Sequence, residues 1–166
     1  MKVTNIKASF KWSPKIIIEN NPNILDYFVK NIHIVKFDQY TACLMNNDSF
    51  CNLTGIKNVY HLLRCLTFFS KITNVINPQI NYSIDSICAT FQCKAGLKNN
   101  ILKNAKKYGF SAEAKIKFCG VCIRSSQMEK CVIVYFQSGK ANMLGLKTFT
   151  DMKTFYDKFI YFLNML

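Results

Sequence analysis

The sequence predicts an α+β fold: two tandem, pseudo-symmetric copies of one strand-and-helix unit, joined into a curved antiparallel sheet with helices on its convex face. Three observations predict it. The chain of 166 residues repeats itself. Most of each copy alternates apolar and polar residues with the period of a half-buried strand. Each copy also closes on a segment with helical apolar spacing.

The repeat shows first at the start of each copy. Val3-Thr4-Asn5-Ile6-Lys7-Ala8-Ser9-Phe10 resembles Ile84-Asp85-Ser86-Ile87-Cys88-Ala89-Thr90-Phe91, with Ile, Ala and Phe at matching places. Deeper in each copy, Asn52-Leu53-Thr54-Gly55-Ile56-Lys57 matches Asn142-Met143-Leu144-Gly145-Leu146-Lys147. The division is therefore residues 1–72, a connector at 73–81 carrying Asn77-Pro78, and residues 82–166.

The elements follow in order. A strand is expected from Val3 to Lys11, then a helical or irregular stretch around Asn23 to Lys30. Three β-rich runs come next, Ile32–Phe37, Tyr40–Met45 and Phe50–Thr54, with turns at Asp38-Gln39 and Asn46–Ser49. Val59, Leu62, Leu63, Leu66 and Phe69 then form one helical stripe. The second copy opens with a strand from Ile84 to Lys94 and a helix with Leu97, Ile101, Leu102, Ala105 and Tyr108 on one side, stopped by Gly109. Lys98, Lys103, Lys106 and Lys107 fall mostly on its outer side, a solvated face or a dock for an acidic partner. The β-rich runs Lys115–Arg124, Lys130–Gln137 and Lys140–Leu144 follow, with turns at Ser125–Met128 and Ser138-Gly139. Met152, Phe155, Tyr156, Phe159, Ile160, Leu163 and Leu166 make the closing stripe.

Composition narrows the class of function. Half the residues are hydrophobic and 19% are charged, which excludes a disordered tail. Lys plus Arg number 22 against 9 Asp plus Glu, a net charge of +13. Both copies share this excess, and the second is the more basic. Such a surface favours a polyanion: nucleic acid, an acidic membrane face or an acidic protein. The longest apolar run, Cys131–Phe136, is far too short to span a bilayer, and the first residues do not read as a signal peptide. A soluble, intracellular protein with no membrane partner is expected. Its eight cysteines are then expected as free thiols. Cys119-Gly120-Val121-Cys122 is a lone CxxC in an expected strand, which sends its thiols to opposite faces, so no metal or other cofactor is expected. His33 and His61 lack any catalytic constellation, and no enzyme activity is expected.

In one set of motifs the chain resembles the TATA-box-binding protein family. The carrying segments are Val3–Ser9, Leu53-Thr54-Gly55-Ile56-Lys57, Lys117-Phe118-Cys119-Gly120-Val121-Cys122-Ile123-Arg124, Phe136-Gln137-Ser138-Gly139-Lys140 and Gly145-Leu146-Lys147. The resemblance runs over about residues 3 to 166 and implies a saddle whose concave sheet lies over the minor groove of AT-rich duplex DNA. It also implies that the convex helices recruit basal transcription factors or RNA polymerase subunits. It implies a protein that is monomeric when bound. The lysine-, asparagine- and isoleucine-rich composition hints at an AT-rich genome such as those of parasites and large viruses, so the nucleus or a cytoplasmic site of viral transcription is the expected location.

Carried over by position, the groove-facing residues are Asn5, Lys7, Ser9, Asn52, Thr54, Ser86, Cys88, Thr90, Arg124, Lys140, Asn142 and Leu144, with Phe118 and Phe136 as the kinking pair. Read without the resemblance, the two phenylalanines read as core residues of strands. The chain also departs from the family pattern. Ungapped alignment puts Asn46 opposite Phe136, Phe28 is the ungapped candidate opposite Phe118, and the first stirrup is read at Asp38-Gln39. Ser86 stands where the family keeps Asn, and Leu144 where it keeps Thr. Lys7, Cys88, Asn52 and Asn142 replace apolar groove-lining residues. One kink is therefore expected rather than two. Two other readings are a protein-interaction scaffold that has lost most DNA binding, and a nucleic-acid-holding accessory domain of an enzyme.

Overall fold

The computed structural model describes residues 1–11, 25–29, 32–37, 40–45, 50–72, 81–128 and 130–166. They carry strands β1 (Lys2–Lys11), β2 (Leu25–Val29), β3 (Ile32–Phe37), β4 (Tyr40–Met45) and β5 (Phe50–Ile56), then helix α1 (Val59–Ile72). After these come β6 (Asn81–Gln92), α2 (Lys98–Asn104) with a 3-10 turn at Ala105–Tyr108, β7 (Phe110–Ala114), β8 (Val121–Ser125), β9 (Val132–Tyr135), β10 (Lys140–Leu146) and α3 (Phe149–Asn164). The chain divides into an N-terminal unit, Asn5–Asp85, and a C-terminal unit, Met1–Thr4 with Ser86–Leu166.

In the N-terminal unit the hydrogen-bonded order is β2-β3-β4-β5-β1, antiparallel throughout. Alternation in β1 buries Ile6, Ala8 and Phe10, which join Ala42, Cys51 and Leu53 of the neighbouring strands. α1 closes this layer with Leu62, Cys65, Leu66 and Phe69, and the Phe10 and Phe69 rings lie 5.6 Å apart. The helix starts where the Asn58 side-chain oxygen accepts from the His61 amide at 2.8 Å. β5 holds one residue more than β1 between the pairs Ile6–Ile56 and Ala8–Leu53. Gly55, at φ 89°, supplies the left-handed conformation of this bulge.

The C-terminal unit repeats the design in the order β6-β10-β9-β8-β7. Ile87, Ala89, Phe91, Ala141, Met143 and Tyr135 are buried beneath Phe155, Phe159 and Phe162 of α3. Phe91 meets Tyr156 and Phe159 edge-on, at 5.0 and 6.1 Å. The same bulge recurs: Met143 pairs with Ala89, but Leu146 pairs with Ile87, with Gly145 at φ 83°. The buried Tyr135 hydroxyl donates to the Lys94 carbonyl at 2.8 Å and accepts from the Leu97 amide at 3.1 Å, fixing the start of α2. Thr148 caps α3, accepting from the Asp151 amide at 3.0 Å.

Several expectations are corrected. The stretch at Asn23–Lys30, expected to be helical or irregular, contains β2, which pairs along its length with β3. The strand expected at Lys115–Arg124 begins only at Val121, and the residues before it form the turn after β7. β7 itself falls where no strand is expected. Its sequence, Phe-Ser-Ala-Glu-Ala, has weak strand preference. Pairing with β8 holds it, together with Phe110, whose ring lies 5.3 to 6.3 Å from those of Phe155, Phe159 and Phe162.

Among the helices, Val59 and Leu63 are exposed and Cys65 takes the buried place, because the core-facing stripe of α1 is narrower than its apolar content. Leu102 is exposed on α2, and Phe162 joins the buried stripe of α3. Cys119 lies exposed in the turn before β8 rather than in a strand, and no disulfide joins the described cysteines. The connector at 73–80, the turns at Asp38-Gln39 and Asn46–Ser49, and the His33 side chain lie outside the described residues. No described helix is long and apolar enough to cross a membrane.

Candidate nucleic-acid interface

Among the described residues, each unit leaves one sheet face without helices, and strand alternation decides what stands there. In the C-terminal unit, Ser86, Cys88 and Thr90 of β6 alternate with the buried Ile87, Ala89 and Phe91. On β10, Lys140, Asn142 and Leu144 alternate with the buried Ala141 and Met143. Cross-strand register adds Val132 and Val134 of β9 opposite Leu144 and Asn142, and Cys122 of β8 opposite Val134, with Arg124 two residues on. Asn142 thus sits between Thr90 and Val134. Its side-chain oxygen is buried and has no hydrogen-bond partner among the described residues.

Phe118 and Phe136 meet on this face. Their ring centroids are 6.1 Å apart with planes at 64°, an edge-to-face pair. Phe118 belongs to the turn between β7 and β8, where its amide donates to the Lys115 carbonyl at 3.1 Å. The ring rests over Gly120: a Cβ there would fall 2.9 Å from the Phe118 ring and 2.8 Å from Val134. Glycine is what lets the ring lie down beside Val134. Even so, Phe118 is 39% exposed.

Phe136 is set by the tight turn that follows β9. Its amide donates to the Lys140 carbonyl, and the Gly139 amide donates to the Phe136 carbonyl, both at 2.9 Å. This turn is tied to the end of β6, since the Cys93 amide donates to the Gly139 carbonyl and Gln92 Nε2 to the Ser138 carbonyl, each at 2.9 Å. Lys115, Lys117 and Lys140 are exposed, and Arg124 is half-buried.

The N-terminal unit differs. Lys7 is exposed and Asn5 half-buried, but the Asn5 side-chain oxygen is committed internally. It accepts from the Gly55 amide at 2.8 Å and from the Thr54 hydroxyl at 3.3 Å, holding the β5 bulge. Ser9, expected to present a free hydroxyl, is only 9% exposed. It donates to Asp85 Oδ1 at 3.0 Å and shares a hydrogen bond of the same length with Ser83, which also donates to Asp85. Asn52 lies opposite Ser9 and Cys43, the place that Asn142 holds in the other unit. Among the described residues of the C-terminal unit no such clamp is seen at Ser86, whose hydroxyl lies 3.9 Å from the Cys88 sulfur.

Register also revises the counterparts of the phenylalanines. Asn52 and Asn142 occupy equivalent rungs, so Cys43 corresponds to Val134 and Met45, not Asn46, to Phe136. The ungapped comparison misses this because the two copies differ in loop length. By topology the Phe118 turn corresponds to the β2–β3 connection, Lys30-Asn31, rather than to Asp38-Gln39. Phe28 lies within β2, paired with His33. Val134, Cys122 and Asp85 belong to this description and were not singled out from the sequence. For Val134 and Cys122 the alternation with Tyr135 and Val121 was the available signal.

Away from these faces, Lys103, Lys106 and Lys107 are exposed on α2 and the 3-10 turn, and Lys98 is half-buried. A groove of about 440 Å³ opens beside them, lined by Tyr108, Phe110, Gln127, Lys158 and Tyr161 among others.

No family model matches the chain, and no curated protein sequence matches it. Among solved structures it is similar to Methanococcus jannaschii TBP, with a TM-score of 0.78 and 19% sequence identity over 99% of this chain and 98% of that one. The chain has a TBP-like α+β fold.

Proposed function

We propose that this protein is a DNA-binding transcription initiation factor that uses the helix-free sheet faces against the minor groove of AT-rich duplex DNA and the helices to recruit transcription machinery. The observation that carries this reading is the edge-to-face pair of the exposed Phe118 and the half-buried Phe136 on the helix-free face of a TBP-like fold. Two adjoining rings that are not needed to fill a core are suited to wedging between base pairs. Such wedges unstack a step and kink the duplex at a cost of about a few kcal/mol.

The remaining chemistry fits the same partner. The minor groove offers a largely A·T-versus-G·C pattern, so shape and deformability carry much of the selectivity. Lys7, Lys115, Lys117 and Lys140 bring positive charge to the phosphates flanking such a groove. Asn5, Asn52, Thr54, Ser86, Cys88, Thr90, Arg124, Asn142 and Leu144 would line the contact. Ser9 would act through the hydrogen bonds that hold Asp85 and Ser83. The phenylalanine pair has no counterpart of the same type at Met45 or in Lys30-Asn31, so a single strong kink is expected. Lys98, Lys103, Lys106 and Lys107 would meet an acidic protein partner. No step requires a cofactor or a bond-making reaction.

Fluorescence anisotropy on AT-rich and GC-rich duplexes across a salt series tests the reading. The expected result is tighter binding to the AT-rich duplex, with affinity falling steeply as salt rises through counterion release. No binding to either duplex at low salt would remove it. It would leave instead the protein-interaction scaffold, recognisable by partners whose capture resists nuclease.

A further inference from the structure

Among the buried side-chain polar atoms of the described residues, the oxygen of Asn142 on the helix-free face of the C-terminal unit is left without a partner. Neither neighbour meets it: Val134 has no donor, and no hydrogen bond links the amide to Thr90 across the β6–β10 rung. Asn5 offers the contrast. Its oxygen is held by the Gly55 amide and the Thr54 hydroxyl, so only its NH2 end is left for a ligand. The Asn142 amide is held by no such bond at its oxygen. Turning it about its terminal torsion breaks no hydrogen bond, and that turn is what would bring the buried oxygen to whatever covers the face.

The floor of the minor groove carries acceptors at every base pair but a single kind of donor, the N2 amino group of guanine. We infer that Asn142 is a guanine-reading residue: its oxygen accepts from guanine N2, so the C-terminal unit favours a G·C pair at one position within an otherwise A·T-rich site. This rests on the proposal of minor-groove binding and adds a positional exception to it. Around Asn142 the same face carries Val132, Leu144 and the buried Val134, which offer a guanine amino group nothing, while Thr90, directly across the rung, has a hydroxyl that can also accept. The exception is therefore expected at the base pair over this rung, and the Asn142→Val comparison decides between Asn142 and Thr90 as its reader.

The test replaces each A·T pair of an AT-rich duplex with G·C, one at a time, and then with inosine·C, which keeps the pairing and lacks the N2 amino group. Anisotropy is read for the wild type and for Asn142→Val. At one position G·C is expected to bind about two- to tenfold tighter than inosine·C, the size of one recovered hydrogen bond. Asn142→Val is expected to erase that difference there and to leave the other positions unchanged. AT-preferring binding with no position where guanine outperforms inosine overturns the inference and leaves minor-groove binding standing. A guanine preference that survives in Asn142→Val also overturns it. Binding to none of the duplexes overturns both. The inosine comparison on the wild type stands even if the variant fails to fold.

Discussion

Truncating the phenylalanine pair separates a nucleic-acid wedge from a packing role, because the two predict different losses. Phe118 is 39% exposed, so more than half of its ring is hidden in the free protein. Full burial of such a side chain stabilises by about 1.5–3 kcal/mol, which puts the stability cost of Phe118→Ala near 1–2 kcal/mol. At roughly 2–4 °C per kcal/mol for a chain of this size, Tm falls by only a few degrees. A ring stacked on a base contributes about 1–3 kcal/mol by alanine substitution, equivalent to roughly 5- to 150-fold in Kd.

Phe118→Ala or Phe136→Ala is therefore expected to weaken AT-rich duplex binding by about one to two orders of magnitude. The double variant should lose less than the product of the two. The ring centroids lie 6.1 Å apart, so the two substitutions remove a shared contact and couple. Anisotropy gives the affinity, and energy transfer between dyes at the duplex ends reports the kink. Tyr161→Ala, an exposed ring on α3, is the control and should leave both readouts unchanged. Unchanged affinity and end-to-end distance in the double variant would refute the wedge, as would an equal loss in the control.

Three further outcomes follow from the packing. Gly145→Ala should cost at least about 3 kcal/mol, since a left-handed backbone at φ 83° is compounded by a Cβ 2.3 Å from the Lys130 carbonyl oxygen. Gly109→Ala, at φ 77° with open space around it, should cost only about 1 kcal/mol, so equal losses in urea melts would contradict the steric argument. Tyr135→Phe strands the Leu97 amide and the Lys94 carbonyl and should destabilise by about 1–3 kcal/mol in the same assay. Burial pushes the thiols of Cys51, Cys93 and Cys131 above their usual range, as it does the Tyr135 hydroxyl. As pH rises past about 8.5 the unfolded chain sheds those thiol protons while the folded chain keeps them, so stability must fall. Urea melts at pH 7.5 and 10 under reducing conditions should show the decline, with Cys51 alone contributing up to about 1.4 kcal/mol per pH unit. A rise would contradict it.

Much of the architecture was legible because it is written in local periodicity. Ile6, Ala8 and Phe10 alternate with Asn5, Lys7 and Ser9, and that alternation alone assigns the covered and open faces of β1. The duplicated Gly55 and Gly145 motifs marked matching places in the two copies, and both turned out to be bulges. The stripes of α1 and α3 located both closing helices, though not which of Val59, Leu63 and Phe162 would be covered. What stayed hidden depends on partners distant in sequence. Phe-Ser-Ala-Glu-Ala becomes β7 only because β8 pairs with it and Phe110 finds the α3 aromatics. Leu-Asp-Tyr-Phe-Val becomes β2 through β3.

The same division runs through the candidate site. The residues themselves placed Phe118 and Phe136 before recognisable motifs, but only the turns, the bare Gly120 and the register bring the rings together. Nothing near Ser9 in sequence announces Asp85, and nothing near Asn142 announces an oxygen without a partner. A side chain's preference for one face of a strand is a local, steric matter that period-two alternation records. Which groups it meets on that face is set by strand pairing across dozens of residues, and that exists only once the chain has folded.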